Sequence, residues 1–198
     1  WFLDQLEPNS PFYNVSSAVR VTGPLDVEAL RASLNEIVRR HEALRTTFAT
    51  VDGGGVQRIA ALLQVPFEVV DLSELPEAER EEEIRERAIA EAQHPFDLSE
   101  GPLLRASLLR ASDSEHVFLL TMHHIVSDLW STAAFVQELA ALYEAFSAWT
   151  DTGLTMVSHP EVLPVSVGVF RIMMQWVSGL GIVLTMLFLR GLSPQAAR

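Results

Sequence analysis

The stretch "HVFLLTMHHIVSDLWS", residues 116–131, decides the fold of the chain around it. Its first part is apolar and rich in Phe and Leu, and it is short enough to form one buried strand. This strand brings His123 and His124 to its carboxyl end. Asp128 follows beyond the strand, in the turn before a segment with helical spacing.

The region before this strand predicts another strand, a helix and a hairpin. Residues 13–23, "YNVSSAVRVTG", alternate with the period of two that is typical of a half-buried strand. A helix is predicted next, because Asp26 is a suitable N-cap and apolar residues recur at 3.6-residue spacing from Val27 to Val38. Residues 46–60, "TTFATVDGGGVQRIA", predict two short strands around a glycine-rich turn. The glycines lack the Lys-Ser/Thr pair of a phosphate-binding loop.

The remaining elements flank the histidine strand on both sides. Residues 76–93 predict a charged helix that turns Ile84 toward the core. Residues 94–110 lead into a strand, and residues 131–148 resume helical spacing directly after the motif. Strands that alternate with helices in this way predict an α/β layer sandwich, in the class of α+β sandwiches.

Composition excludes several kinds of protein. The chain has 26 acidic and 14 basic residues, so it lacks the basic surface that nucleic-acid binding requires. It contains no Cys, which rules out disulfides, thiolate nucleophiles and Cys-based zinc sites. The N-terminus "WFLDQLEPNS" has neither the basic region nor the apolar core of a secretory signal. We therefore expect a cytoplasmic protein, cut from within a longer polypeptide.

The composition changes after about residue 150. Residues 151–198 contain only five charged residues, and residues 172–189 form an uncharged run of eighteen. Eighteen apolar residues are about the shortest run that spans a bilayer, but Gln175, Ser178 and a central "GLG" weaken that interpretation. The alternatives are a buried core helix, or a tail whose reading frame or splice differs from that of the preceding domain.

The adjacent histidines allow more than one interpretation. Both could be satisfied core residues at the end of a strand. Two histidines and Asp128 are also reasonable metal ligands, but neighbouring residues on a strand point to opposite faces and cannot both bind one ion. The same geometry favours a division of labour, in which one histidine faces a cleft and the other packs inward. Histidine at a strand end suits proton transfer, and Asp128 could fix the loop by pairing with an Arg.

Several separated stretches resemble the condensation domains of nonribosomal peptide synthetases, within the wider HHxxxD acyltransferases. "WFLDQLEPNSPFYN" (residues 1–14) resembles the end of the family's first motif, and "RRHEALRTTF" (residues 39–48) resembles the second throughout. "HPFDLSEGPLLR" (residues 94–105) is similar to the approach to the active-site strand. "MHHIVSDLWS" (residues 122–131) matches the signature HHxxxDG at every position but the last. The resemblance covers about residues 1–148.

The resemblance implies a fold and a domain organisation. The fold would be like one lobe of chloramphenicol acetyltransferase. Residues 1–148 would be the N-terminal lobe of a condensation domain, truncated at its start, and residues 149–198 an atypical apolar tail of uncertain structure. The family's next motif does not follow "YEAFSA", and a C-terminal lobe is absent from the sequence.

The resemblance also implies roles for individual residues. His124 would be the catalytic residue, and His123 would be structural. Asp128 would support the site through an ion pair, for which we expect Arg40 as the partner, with Arg45 behind it. No metal ligand is implied.

Three further residues would lie beside the substrate channel: Leu129, Trp130 and Ser131. Leu129 stands where the family has Gly, so a side chain there narrows the channel and restricts the backbone.

The activity implied by the resemblance is peptide-bond formation. An upstream peptidyl or aminoacyl thioester is attacked by the α-amine of a downstream aminoacyl thioester. No cofactor is bound directly, because the substrates are carried on the phosphopantetheine of partner carrier domains; adenylation domains of the same synthetase are further partners. We expect the chain alone to be inactive. The alternatives are an epimerisation domain, or a non-catalytic docking module tethered to a membrane by residues 172–189.

Overall fold

The computed structural model describes residues 1–149, which form four α-helices and six strands. The helices are α1 (Phe2–Leu6), α2 (Val27–Arg40), α3 (Glu77–Gln93) and α4 (Leu129–Trp149). The strands are β1 (Asn14–Thr22), β2 (Thr46–Val51), β3 (Gly54–Ile59), β4 (Phe67–Asp71), β5 (Leu104–Ser112) and β6 (Glu115–His123). Two short 3₁₀ helices, Pro11–Tyr13 and Glu42–Arg45, precede β1 and β2.

Strand β6 lies inside a four-stranded sheet of order β1-β6-β5-β4. It pairs antiparallel with β1, where Asn14 lies opposite His123, and antiparallel with β5, where Leu104 lies opposite Met122. Strands β4 and β5 are parallel, and β2 and β3 form a separate antiparallel hairpin. The predicted sandwich is confirmed, with the histidine strand at an interior position of the sheet.

Helices cover both faces of this sheet, which explains why β6 is apolar along most of its length. The two rows of β6 side chains pack with different helices: Phe118, Leu120 and Met122 with α2 and α4, and Val117 and Leu119 with α3. Since side chains alternate along a strand, His123, the last residue of β6, continues the row of Val117 and Leu119, and His124 follows in the turn after the strand.

The helix cap and the hairpin turn that the sequence predicts are both present in the structure. Asp26 caps α2, because its Oδ1 accepts a hydrogen bond of 2.9 Å from the N–H of Ala29. The hairpin turns at Asp52 and Gly53, whose φ angles of 49° and 79° are those of the left-handed region that Asp-Gly turns favour. Val19 is exposed although it lies in the alternating pattern of β1, because β1 is an edge strand of the sheet.

The predictions for residues 150–198, including the apolar run 172–189, lie outside the described residues. None of the helices within residues 1–149 is both long and apolar enough to cross a membrane.

A buried hydrogen bond joins the start of α2 to α4. The backbone N–H of Asp26 donates to the hydroxyl oxygen of Tyr143 at 3.0 Å. The Tyr143 side chain is fully buried in the core between α2, α4 and the sheet, and this burial raises the pKa of its hydroxyl. The bond therefore helps to place α4, the helix that follows the histidine motif.

We predict that Tyr143→Phe lowers the free energy of unfolding by about 1 to 3 kcal/mol, because it leaves the Asp26 N–H without its acceptor. Tyr13→Phe is the matched control, since the Tyr13 hydroxyl makes no hydrogen bond within residues 1–149, and it should cost less than about 0.5 kcal/mol. Urea denaturation measures both. Equal effects of the two substitutions would show that this bond does not stabilise the packing of α4.

Candidate active site

Both histidines are held at the end of β6 by backbone hydrogen bonds to the neighbouring strands. The N–H of His123 donates to the carbonyl of Leu103 at 3.0 Å, and the N–H of His124 donates to the carbonyl of Tyr13 at 2.8 Å. The two side chains differ in burial: His123 is buried, with 6% of its surface exposed, whereas His124 is exposed.

His123 occupies an aromatic environment. Its ring lies 6.1 Å from that of Phe96 in an edge-on arrangement and 6.0 Å from that of Tyr13. Burial lowers the pKa of its imidazole, which favours the neutral form. The ring Nδ1 accepts a hydrogen bond of 3.1 Å from the N–H of Ile125. A neutral imidazole that accepts at Nδ1 carries its proton on Nε2.

His124 has the opposite tautomer. Its Nδ1 lies 2.8 Å from the carbonyl oxygen of Ser127. A carbonyl oxygen only accepts hydrogen bonds, so in the neutral ring Nδ1 must carry the proton and Nε2 the lone pair. His124 also lines a cavity of about 220 Å³ together with His123; the other lining residues are Trp1, Leu3, Asp4, Tyr13 and Ile125. This arrangement can accept a proton from a nucleophile bound in the cavity.

The loop after the histidines is built on the carbonyl of His123. The N–H of Val126 donates to this carbonyl at 3.0 Å, and the hydroxyl of Ser127 donates to it at 3.2 Å. These bonds place Ser127, whose own carbonyl fixes the His124 ring. The loop therefore connects the buried histidine to the exposed one.

The prediction of an ion pair between Asp128 and Arg40 is wrong. Asp128 is exposed, and its Oδ1 accepts a hydrogen bond of 2.7 Å from the N–H of Ser131. The Ser131 hydroxyl in turn accepts a bond of 2.7 Å from the N–H of Asp128. These bonds, from the backbone of Ser131 first, hold the pKa of the Asp128 carboxyl below its ordinary value. Asp128 is the N-terminal cap of α4, so its carboxylate already accepts a hydrogen bond from a backbone N–H in the first turn of that helix.

Arg40 makes its ion pairs elsewhere. Its Nε lies 2.7 Å from Glu36 in the same helix, and its Nη1 lies 3.1 Å from Glu138 of α4. His41, the next residue, lies 2.6 Å from the other oxygen of Glu138. Hydrogen bonds from Arg39 and Arg40 lower the pKa of Glu36 to about 2. Arg40 thus links the end of α2 to α4, away from Asp128.

Arg45 does not support Asp128 either. Its guanidinium donates to the carbonyl of Ala60 and lies 3.2 Å from Glu42, so it ties the second 3₁₀ helix to the end of the hairpin. Among the three residues predicted beside the channel, Ser131 belongs to the cap and Trp130 is 85% exposed. The side chain of Leu129 lies outside the described ones.

Within residues 1–149, no group of three or more His, Asp and Glu side chains is placed to hold a metal ion.

The family follows from comparison with known proteins. The family model described as Condensation domain matches residues 1–154, and the chain therefore belongs to the condensation domain family. A linear gramicidin synthase polypeptide of Brevibacillus parabrevis is 53% identical over 148 residues, which are 75% of this chain and 2% of that protein. Phosphinothricin tripeptide synthetase PhsC of Streptomyces viridochromogenes is 45% identical over 154 residues, which are 78% of this chain and 14% of that protein.

Solved structures agree with this assignment. The starter condensation domain of rhizomide synthetase RzmA has a TM-score of 0.65 at 28% identity, covering 73% of this chain and 35% of that one. SgcC5 from Streptomyces globisporus has a TM-score of 0.62 at 35% identity, covering 70% of this chain and 31% of that one. The expected fold, a lobe of the chloramphenicol acetyltransferase type, is confirmed. This chain spans about a third of each solved domain and a small part of each synthetase.

The residues that orient the two rings could not be found from the sequence. The carbonyl of Ser127 and the N–H of Ile125 are backbone groups, and every residue offers such groups, so no side-chain pattern identifies them. Phe96 and Tyr13 lie in stretches that resemble family motifs, but their contact with His123 depends on the arrangement of separate segments.

We predict that Asp128→Asn keeps the melting temperature of the unmodified chain, whereas Asp128→Ala lowers it. The Asn side chain has an oxygen that can accept the Ser131 N–H, and Asn is as good an N-cap as Asp, whereas Ala offers no acceptor. Thermal denaturation followed by circular dichroism makes the comparison. If both substitutions lowered the melting temperature equally, stability would require the negative charge of Asp128, and an ion pair would explain its role better than a cap.

Proposed function

We propose that this chain supplies the catalytic histidine of an enzyme that forms amide bonds between carrier-bound thioesters. The observation that carries the proposal is the His124 ring, whose Nδ1 is bonded to the Ser127 carbonyl, so that in the neutral ring the lone pair lies on Nε2. A neutral imidazole in this tautomer is a general base with its lone pair on one defined atom. The cavity beside the ring is where the nucleophile would bind.

The reaction we propose has two changes at one carbonyl carbon. The α-amine of the downstream aminoacyl thioester attacks the carbonyl of the upstream peptidyl or aminoacyl thioester, and a C–N bond forms as the C–S bond breaks. His124 Nε2 takes the proton that the amine loses, and the departing thiolate regains a proton. No cofactor bound by the chain takes part, because each thioester arrives on the phosphopantetheine of a carrier domain.

The relatives support this substrate class. Several are synthetases of peptides, including linear gramicidin synthase and phosphinothricin tripeptide synthetase. The starter condensation domain of rhizomide synthetase has been solved in complex with C8-CoA and Leu-SNAC. We infer that the partners of this chain are the carrier and adenylation domains of a similar cytoplasmic synthetase.

The domain organisation is part of the proposal. Residues 1–148 act as an N-terminal lobe, and a second lobe would supply the far wall of the substrate channel. Positioning supplies about 7 to 11 kcal/mol of barrier reduction in well-oriented reactions, whereas general base catalysis supplies about 10²- to 10⁴-fold in rate. The second lobe therefore matters more to the rate than the histidine does. Residues 149–198 are proposed to be a tail outside this lobe.

We predict that the 198-residue chain alone forms no detectable peptide bond between carrier-bound substrates. Residues 1–148 joined to the C-terminal lobe of a condensation domain, with Leu129→Gly, should be active. His124→Ala in that two-lobe protein should lower the rate by about 10²- to 10⁴-fold. Mass spectrometry of the carrier-bound product measures the rate.

His94→Ala is the matched control for this prediction, because the His94 side chain is exposed and its hydrogen bonds within residues 1–149 are made by its backbone groups. A two-lobe protein that is indifferent to His124→Ala would contradict the catalytic role. If it still bound carrier domains without turnover, the non-catalytic docking module would be the better description. Inversion of the α-carbon without condensation would indicate the epimerisation domain.

A further inference from the structure

Arg105 of β5 uses all three guanidinium nitrogens on the last turn of α3 and the segment that follows it. Its Nε lies 2.7 Å from a carboxylate oxygen of Glu91, and its Nη2 donates to the carbonyl of His94 at 2.7 Å and to that of Glu91 at 3.3 Å. Its Nη1 donates to the carbonyl of Pro95 at 3.3 Å. The face of the guanidinium lies 3.7 Å from the centroid of the Phe96 ring. One side chain therefore fixes both the backbone and the aromatic ring of this segment.

These contacts are shielded from solvent. The Arg105 side chain is 18% exposed and that of Glu91 is 26% exposed, while Phe96 is 5% exposed. A planar fork of donors that also stacks on a ring is specific to Arg, because Lys offers a point charge without the fork or the flat face. The arrangement consequently depends on the identity of this side chain as well as on its charge.

Phe96 passes this constraint to the buried histidine. Its ring contacts the His123 ring at 6.1 Å with an interplanar angle of 87°. His123 in turn accepts two hydrogen bonds, from the N–H of Ile125 at its Nδ1 and from the N–H of Val126 at its carbonyl oxygen. Those two bonds begin the loop whose Ser127 carbonyl orients His124. A continuous set of contacts thus runs from Arg105 to the catalytic ring.

We propose that Arg105 is a positioning residue for the catalytic histidine, which acts through Phe96 and His123 on the loop that orients His124. The proposal rests on the proposed function, because it assumes that the orientation of His124 matters for proton transfer. Arg105 touches neither the catalytic ring nor the cavity beside it. Arg105 and Phe96 lie outside the HHxxxD motif, in the "HPFDLSEGPLLR" stretch, so the proposal extends the site beyond the motif.

A second contact keeps the effect of Arg105 local. Asn14 of β1 donates from Nδ2 to the carbonyls of Ala92 at 2.8 Å and of His94 at 2.9 Å. The segment after α3 is therefore held from β1 as well as from β5. Changing Arg105 should loosen the Phe96 ring while the segment stays attached to the sheet.

The test is amide hydrogen exchange by NMR on the 198-residue chain carrying Arg105→Lys. The amides of Ile125 and Val126, which donate to His123, should exchange about tenfold faster, because a stacking contact between cation and ring is lost. The amides of Leu119 and Leu120 in the middle of β6 should be unchanged. The ¹⁵N signals of the His124 ring should move toward a mixture of tautomers.

Arg87→Lys is the matched control, because Arg87 pairs with Glu83 on the surface of α3 and does not contact Phe96 within the described structure. Phe96→Leu is the second variant, which leaves Arg105 in place and removes the ring, and it should give the same local pattern. Equal acceleration at Leu119 and Ile125, or no change at Ile125 in either variant, would overturn the proposal. None of these measurements depends on peptide-bond formation, so a failure of this inference is distinguishable from a failure of the proposed function.

Discussion

His123 is the last residue of a strand that pairs with a neighbour on each side, and the site depends on this constraint more than on any other. It gives His123 and His124 different surroundings although they are adjacent in sequence. The buried ring lies among aromatic side chains and accepts a hydrogen bond from backbone, the exposed ring is bonded to the Ser127 carbonyl, and both line the same cavity. Pairing of β6 with β1 and β5 up to its last residues makes the constraint strict, since a strand paired on both sides cannot rotate.

The chemistry of the site is set by backbone groups rather than by charged side chains. The carbonyl of Ser127 determines which nitrogen of His124 is protonated, and the N–H of Ile125 does the same for His123 with the opposite result. Asp128, the third residue of the motif, does not contact either ring through an ion pair; it caps α4 and so defines where the loop ends. The motif therefore describes a strand end, a loop and a helix start that together hold one imidazole.

The elements that carry the site could be predicted because their signals are local. The apolar run of β6, the N-cap of α2 at Asp26 and the Asp-Gly turn of the hairpin each depend on a few consecutive residues, and each is present. The ion pairs of Arg40 could not be predicted, because Arg40 pairs with both Glu36 and Glu138, and Glu138 lies almost a hundred residues away in the sequence. Strand β4 could not be predicted for a related reason, since five residues show too little alternation to distinguish a strand from a loop.

The central claim is that the two adjacent histidines adopt opposite tautomers when their rings are neutral. ¹⁵N NMR of the imidazole nitrogens at about pH 8, where ordinary imidazoles with a pKa near 6.5 are neutral, measures this directly. The structure predicts that the neutral His123 ring carries its proton on Nε2 and that the neutral His124 ring carries its proton on Nδ1, which leaves the lone pair on the Nε2 of His124. The same tautomer in both rings, or a proton on the Nε2 of His124, would contradict this account of the site.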